Sequence, residues 1–148
     1  MNQKIIHSEQ FYVSRDPDME IVTILGSCVA VCLFDEKNSV FGMNHYLLPL
    51  WNGNGLKSLR FGNISTERLI EAMYKEGASL SNMKAKVFGG AQININEQFS
   101  VAPRNIQIAV DILNMYNIPI IAQDTGGEKG RKIFFQNVSG DVYIKYSR

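Results

Sequence analysis

The 148-residue chain has little net charge, few cysteines and no long apolar stretch. Fifteen basic and fourteen acidic residues leave a net charge of +1, and the basic residues are scattered. This pattern excludes a basic surface that binds nucleic acid or an anionic membrane. No window approaches about 18 apolar residues, so we expect no membrane insertion. The N-terminal residues also lack the apolar segment of a signal peptide, and with only two cysteines we expect a reducing, cytoplasmic setting.

The remaining composition is that of an ordinary globular protein. Hydrophobic residues make up 45% of the chain and charged residues 20%. A chain of this length can bury a sizeable core. The sequence has no internal repeat, low-complexity tract or linker. We therefore expect a single domain over residues 1–148.

Short β-branched and apolar runs predict about eight strands, with the first two runs forming one short strand or two. The runs are 5–6, 11–13, 20–25, 28–34, 40–48, 84–88, 118–122, 133–136 and 142–146. Three consecutive runs, from 20 to 48, are joined by tight turns and predict a meander. The run 118–122 is interpreted as a buried strand and residues 124–127 as the loop after it.

Two amphipathic segments predict helices. In the first, the apolar stripe is formed by Leu69, Ile70, Met73 and Tyr74. Asn63 or Ser65 is the expected N-cap and Gly77 the expected stop. In the second, the stripe is Ile106, Ala109, Val110 and Leu113, with Pro103 in the first turn. Arg104-Asn105 at its start either cap the helix or face the functional site, and capping is the favoured interpretation. Two helices among many adjacent strands indicate an α+β fold or a mixed α/β sandwich.

The two cysteines, Cys28 and Cys32, lie in one strand-like run. On a strand, four residues separate their Cα atoms by about 13 Å. A disulfide requires a Cα separation below about 7 Å, so the pair is not expected to be bridged. No cluster of metal-ligating residues accompanies them, so no metal site is expected. Cys32 is interpreted as a core residue.

Cys28 follows a Gly26-Ser27 break between two apolar runs. Such a break can expose a thiol and leave backbone N–H groups of the turn free to stabilise an oxyanion. A cysteine nucleophile also needs a base, and His45 lies on the next strand-like run. The alternatives are that Cys28 is a small buried hydrophobe and that His45 is a core histidine whose ring is hydrogen-bonded.

A third polar group usually orients the imidazole of such a pair. Thr23, on the strand before Cys28, is the nearest candidate, and Asn44 and Asp124 are weaker ones. The glycine pairs at 89–90 and 126–127 match no nucleotide-binding spacing. They are interpreted as turns or sites of close backbone approach, so no organic cofactor is expected.

Five blocks of residues, in order, resemble the CheD chemoreceptor glutamine deamidases. They are 23–35 (TILGSCVAVCLFD), 42–49 (GMNHYLLP), 89–91 (GGA), 104–105 (RN) and 124–127 (DTGG). The resemblance spans residues 8–146. It implies one CheD-like domain, a three-layer α/β sandwich with a mostly antiparallel or mixed sheet.

The resemblance also implies a cysteine amidohydrolase with a Cys-His-Thr triad. Cys28 would be the nucleophile, His45 the base and Thr23 the third member, with Ser27 and Gly26 at the oxyanion. The substrate would be a glutamine in the cytoplasmic helical region of a chemoreceptor, converted to glutamate through a thioester without a cofactor. Hydrolysis of receptor methyl esters is a second expected activity, and a CheC-type phosphatase an expected partner. Two alternatives stay open: another cysteine hydrolase, and a non-catalytic regulator of that phosphatase.

Overall fold

A computed structural model describes residues 1–93 and 101–148 of the chain. Within these ranges the chain forms nine strands, two α-helices and one 3-10 turn, Leu80–Asn82. The strands are β1 Asn2–Ile5, β2 Gln10–Ser14, β3 Met19–Leu25, β4 Val29–Asp35, β5 Val40–His45, β6 Lys84–Gly89, β7 Ile120–Thr125, β8 Arg131–Phe135 and β9 Val142–Tyr146. The helices are α1 Gly62–Lys75 and α2 Ala102–Met115.

The strands form two mixed sheets. The four-stranded sheet has the order β1-β3-β8-β9, in which β1 and β3 are parallel. The five-stranded sheet has the order β2-β5-β4-β6-β7, in which β6 and β7 are parallel. The predicted meander is therefore wrong for its first strand, because β3 belongs to the four-stranded sheet and β4 and β5 to the other. Residues 26–28 carry the chain from one sheet to the other.

The molecule has three layers with a core between each pair. One core lies between the two sheets, where the rings of Phe41 and Phe135 meet edge to face at 5.4 Å. The other lies between the five-stranded sheet and both helices and includes Leu69 and Leu113. Every residue of β4 is buried because this central strand has a layer on each side. The predicted α+β sandwich with two main helices is confirmed.

Helix α1 begins earlier than predicted. Its N-cap is Phe61, which makes no capping side-chain hydrogen bond, so the prediction of Asn63 or Ser65 as the cap is wrong. The Asn63 carboxamide oxygen instead accepts a hydrogen bond from the Trp51 amide at 3.0 Å. The predicted stop at Gly77 is confirmed, since this residue follows the helix with φ +108°. Neither helix described here has the length and apolar character needed to span a membrane.

Helix α2 has proline in its first turn, as predicted, and leads into β7. The prediction of a buried strand at 118–122 is wrong, because β7 runs from Ile120 to Thr125 and is largely exposed. It is the edge strand of its sheet and pairs only with β6. Asp124 and Thr125, predicted in a loop, are the last residues of this strand.

Candidate active site

Cys28 lies half-buried in the turn between β3 and β4, where the chain crosses between the sheets. Three successive carbonyls of this turn accept hydrogen bonds from the segment after β6 and from α2. Those of Gly26, Ser27 and Cys28 accept from the Ala91 amide, the Asn105 Nδ2 and the Gly90 amide at 2.9, 3.1 and 2.8 Å. The turn is therefore held by donors from other parts of the chain rather than by its own residues.

The close approach predicted at residues 89–90 occurs against this turn. Gly89 has φ +106°, and a Cβ there would lie 2.3 Å from the carbonyl oxygen of Cys28. Gly90 has φ +70°. Glycine is required at position 89 because any side chain would collide with the backbone of Cys28.

The amides of Ser27 and Cys28 have no backbone acceptor among the residues that the structure describes. The Cys28 N–H lies by its own sulfur and favours the thiolate. Backbone N–H groups beside a nucleophile are the kind of donor that stabilises an oxyanion.

Thr23 and His45 are joined by a hydrogen bond that identifies the imidazole tautomer. The Thr23 hydroxyl lies 2.7 Å from His45 Nδ1 and 2.7 Å from the carbonyl oxygen of Ile6. A carbonyl only accepts, so the single hydroxyl proton of Thr23 is donated to Ile6. His45 Nδ1 must then carry a proton and donate it to Thr23 Oγ1. Nε2 is left unprotonated, which is the form a general base requires.

Thr23, Cys28 and His45 line one pocket of about 340 Å³. Aliphatic side chains form much of the rest of its wall: Ile5, Ile6, Ile24 and Leu47. Thr23 and His45 are buried, whereas Cys28 is half-exposed at the pocket. The structure therefore brings the three residues together, with Gly26 and Ser27 in the adjoining turn.

Burial sets the resting protonation of the two reactive groups. Burial, and then charge repulsion from His7, lowers the pKa of His45 from 6.5 to about 4. Burial also raises the pKa of the Cys28 thiol, and the hydrogen bond from its own amide offsets part of that rise. Imidazole and thiol are both neutral at neutral pH. A neutral thiol becomes a nucleophile only when a base takes its proton, and a neutral imidazole is such a base.

The two weaker candidates for the third group are engaged elsewhere. Asn44 accepts from the Val31 amide at 2.7 Å and donates to the Thr66 hydroxyl at 3.3 Å. Asp124 forms an ion pair with Arg131. In the described part of the chain neither side chain has a hydrogen bond to His45, and no group of His, Cys, Asp and Glu is arranged to hold a metal ion.

Asn105 has a role that its interpretation as a helix cap missed. The N-cap of α2 is Val101, and Asn105 is completely buried. Its Nδ2 donates to the carbonyls of Ser27 and, at 2.9 Å, Leu47, so it ties the cysteine turn to the segment after His45. The helical periodicity contains the signal, because Asn105 is one turn before Ala109 on the buried face.

Arg131 is a second residue that the sequence interpretation missed. Its guanidinium is buried, pairs with the Asp124 carboxylate and donates to the Asp124 carbonyl at 2.6 Å. It also donates to the carbonyls of Gly126 and Lys129. The signal was the alternation of β8, in which Arg131 shares the buried face with residues 133 and 135.

Comparison with known proteins relates this chain to one family. A family model described as CheD chemotactic sensory transduction matches residues 47–146. The "Probable chemoreceptor glutamine deamidase CheD" of Sulfurimonas denitrificans is 50% identical over 147 residues, covering 97% of this chain and 94% of the relative. The protein of the same name from Trichlorobacter lovleyi is 43% identical over 129 residues, covering 86% and 80%.

A solved structure extends the comparison to the fold. The crystal structure of a Neisseria meningitidis protein of family DUF152 superposes with a TM-score of 0.53 at 13% identity. The match covers 80% of this chain and 53% of that one, so this chain spans about half of that protein's length. At this identity the match shows a shared fold.

Proposed function

The chain belongs to the CheD family, and we propose that Cys28, His45 and Thr23 are the residues with which it deamidates glutamine side chains. The protein is a chemoreceptor glutamine deamidase, an amidohydrolase. The observation that carries the residue assignment is the hydrogen bond from His45 Nδ1 to Thr23, in the pocket that Cys28 shares. It supports an imidazole whose other nitrogen is free to take the proton of the cysteine thiol.

The first half of the proposed reaction forms a thioester. Nε2 of His45 takes the thiol proton as Cys28 Sγ attacks the carboxamide carbon of the substrate glutamine. The negative oxygen is held by the N–H groups of Ser27 and Cys28. The imidazolium then donates its proton to the nitrogen, the C–N bond breaks, and ammonia leaves.

The second half releases glutamate. His45, again neutral, takes a proton from a water molecule that attacks the thioester carbon. The C–S bond breaks, and the imidazolium returns a proton to the Cys28 sulfur. Thr23 accepts from Nδ1 throughout and keeps the ring in one orientation. A glutamate methyl ester would follow the same steps with methanol as the leaving group, which is our proposal for a second activity.

The substrate and setting follow from the family and the sequence. The protein acts on chemoreceptors. We further propose that the target glutamines lie in the cytoplasmic helical region, that a CheC-type phosphatase is a binding partner, and that residues 1–148 form one domain. Two free cysteines support a reducing, cytoplasmic location.

Ammonia release and receptor peptide masses test the proposal directly. Purified receptor is incubated with the wild-type protein and with Cys28→Ala, and peptides are examined for the amide-to-acid mass change. We expect ammonia and modified glutamines with the wild type only. Cleavage of the receptor backbone would instead indicate a peptidase, and full adaptation in cells carrying Cys28→Ala would indicate a non-catalytic regulator.

A further inference from the structure

The candidate catalytic residues are divided between the two sheets. Thr23 lies on β3 of the four-stranded sheet and His45 on β5 of the five-stranded sheet. Cys28 lies on the turn that connects the sheets. The Thr23–His45 hydrogen bond therefore spans the gap between the layers, and its geometry depends on how the two sheets are spaced at this end of the molecule.

An ion pair spans the same gap next to the cysteine turn. Arg131 is on β8 of the four-stranded sheet, and Asp124 is on β7 of the five-stranded sheet. In the β3–β8 register Arg131 lies opposite Leu25, the residue before the turn. In the β6–β7 register Asp124 lies opposite Phe88, the residue before Gly89. The ion pair thus joins β8, which pairs with the strand that leads into the turn, to β7, which pairs with the strand that packs against the turn.

The loop after Asp124 extends this connection to Cys28. Arg131 donates hydrogen bonds to two carbonyls of this loop, those of Gly126 and Lys129. The Gly126 amide donates to the Gly89 carbonyl at 2.9 Å, and the Gln92 amide donates to the Gly127 carbonyl at 2.8 Å. The segment 89–92 that is held in this way is the one whose amides bind the Gly26 and Cys28 carbonyls.

We propose that Arg131 and Asp124 are positioning residues for the deamidation: their inter-sheet ion pair aligns Cys28 with the His45–Thr23 pair. The inference rests on the proposed function, since it assumes that these three residues are the catalytic ones. Neither Arg131 nor Asp124 lines the pocket of Cys28, so their effect on the reaction is transmitted through the turn and the sheet spacing.

The test compares Arg131→Met, Arg131→Lys and Asp124→Asn with the wild type. Arg131→Met removes the charge and all four donated bonds at similar volume, and Lys restores the cation without the planar fork. We expect kcat on purified receptor to fall at least about tenfold in Arg131→Met, since small misplacements of reacting groups are costly. KM should stay within about twofold, and Arg131→Lys should recover part of the loss.

A folding defect is separated from a positioning defect by counting competent sites. Circular dichroism first shows that each variant is folded. The amount of Cys28 that iodoacetamide then alkylates gives the concentration of active sites, and kcat is calculated per such site. If Arg131→Met does not fold, Asp124→Asn decides, because Asp124 is partly exposed and the substitution removes the charge of the ion pair at nearly unchanged volume; we expect kcat to fall there as well. Lys75→Met, which removes an exposed ion pair with Glu71 on α1, is the matched control and should keep wild-type kcat.

Two outcomes would overturn the inference. One is wild-type kcat in the folded Arg131 or Asp124 variants. The other is a loss of activity that disappears when kcat is expressed per alkylatable Cys28. A failure of the proposed function is distinguishable, because the wild type itself would then release no ammonia from the receptor.

Discussion

Cys28 and Cys32 are four positions apart and have opposite surroundings. Cys32 lies within β4, has no exposed surface and packs in the core between the sheets. Cys28 lies just before β4 begins, is half-exposed, and shares a pocket with His45 and Thr23. One thiol is a packing residue, and the other is the nucleophile that we propose.

The difference between the two thiols is not one of acidity alone. Burial raises the pKa of both, and much more for Cys32, where the Lys86 charge offsets only a small part. What distinguishes Cys28 is an accessible sulfur, backbone N–H groups beside it and a base in the same pocket. Reactivity at this position is thus expected to come from proton transfer to His45 rather than from a thiolate at rest.

The largest expected effect separates the two cysteines directly. Cys28→Ala should lower the rate of ammonia release from receptor by about 10³-fold or more, because no other thiol reaches the pocket. Cys32→Ala should keep kcat and lose only some stability to denaturant through the lost packing. Equal loss of activity in the two variants would contradict the assignment of Cys28 as the nucleophile.

The second largest effect is expected at His45, the proposed base, which lies in the pocket of Cys28. His45→Gln should lower kcat by about 10²- to 10⁴-fold, the usual contribution of one general acid–base group. It should also slow alkylation of Cys28 by iodoacetamide at neutral pH. His7→Gln is the matched control, because His7 lines the same pocket without a hydrogen bond to Thr23. A greater loss in His7→Gln would reverse the roles of the two histidines.

Thr23 should have a smaller effect than His45. Thr23→Val keeps the shape of the side chain but removes the acceptor for His45 Nδ1–H, so the ring can adopt the wrong tautomer. We expect kcat to fall about 10²-fold with KM little changed. Thr23→Ser keeps the hydroxyl and should recover most of the activity. Wild-type kcat in Thr23→Val would remove Thr23 from the triad.

The smallest expected effect is that of pH, because kcat/KM should change little between pH 7 and pH 5. A base whose pKa is lowered to about 4 stays unprotonated as pH falls from 7 through 6.5, the value for a free imidazole. The acid limb of kcat/KM, which reports groups of the free enzyme, should therefore lie near pH 4. A midpoint near 6.5 would mean that His45 is not the titrating base. The profile is measured with short incubations so that acid unfolding does not contribute.

Much of the fold was predictable because apolar periodicity reports burial. The β-branched runs marked the strands, and the stripes marked both helices. The sequence did not reveal which sheet a strand joins: β3 and β4 are both buried runs joined by a short turn, and a hairpin and a sheet crossing give the same pattern. The exposure of β7 was missed for a related reason. An apolar run does not reveal whether its strand lies in the middle of a sheet or at the edge, and β7 is an exposed edge strand.

The candidate site was predictable where chemistry depends on residue type, and less so where it depends on long-range contacts. Cys28 and His45 stood out as a thiol after a turn and one of only two histidines. Thr23 was favoured first by its place on the strand before Cys28 and then by the family resemblance. Arg131 was missed, and capping was preferred for Asn105, because a polar residue at a strand start or helix start is usually a solvated group or a cap. Their buried positions in the periodic pattern were the available signal.

The acceptor at the end of the Thr23 hydrogen bond is a main-chain atom, the carbonyl of Ile6. Every residue type has this backbone oxygen, so a substitution at position 6 keeps the acceptor and is compatible with the same imidazole tautomer. Deletion of the first six residues would remove it. The Thr23 proton could then point to His45, and the base nitrogen would exchange roles with its neighbour. The amino-terminal segment therefore helps to fix the tautomer of an imidazole on β5.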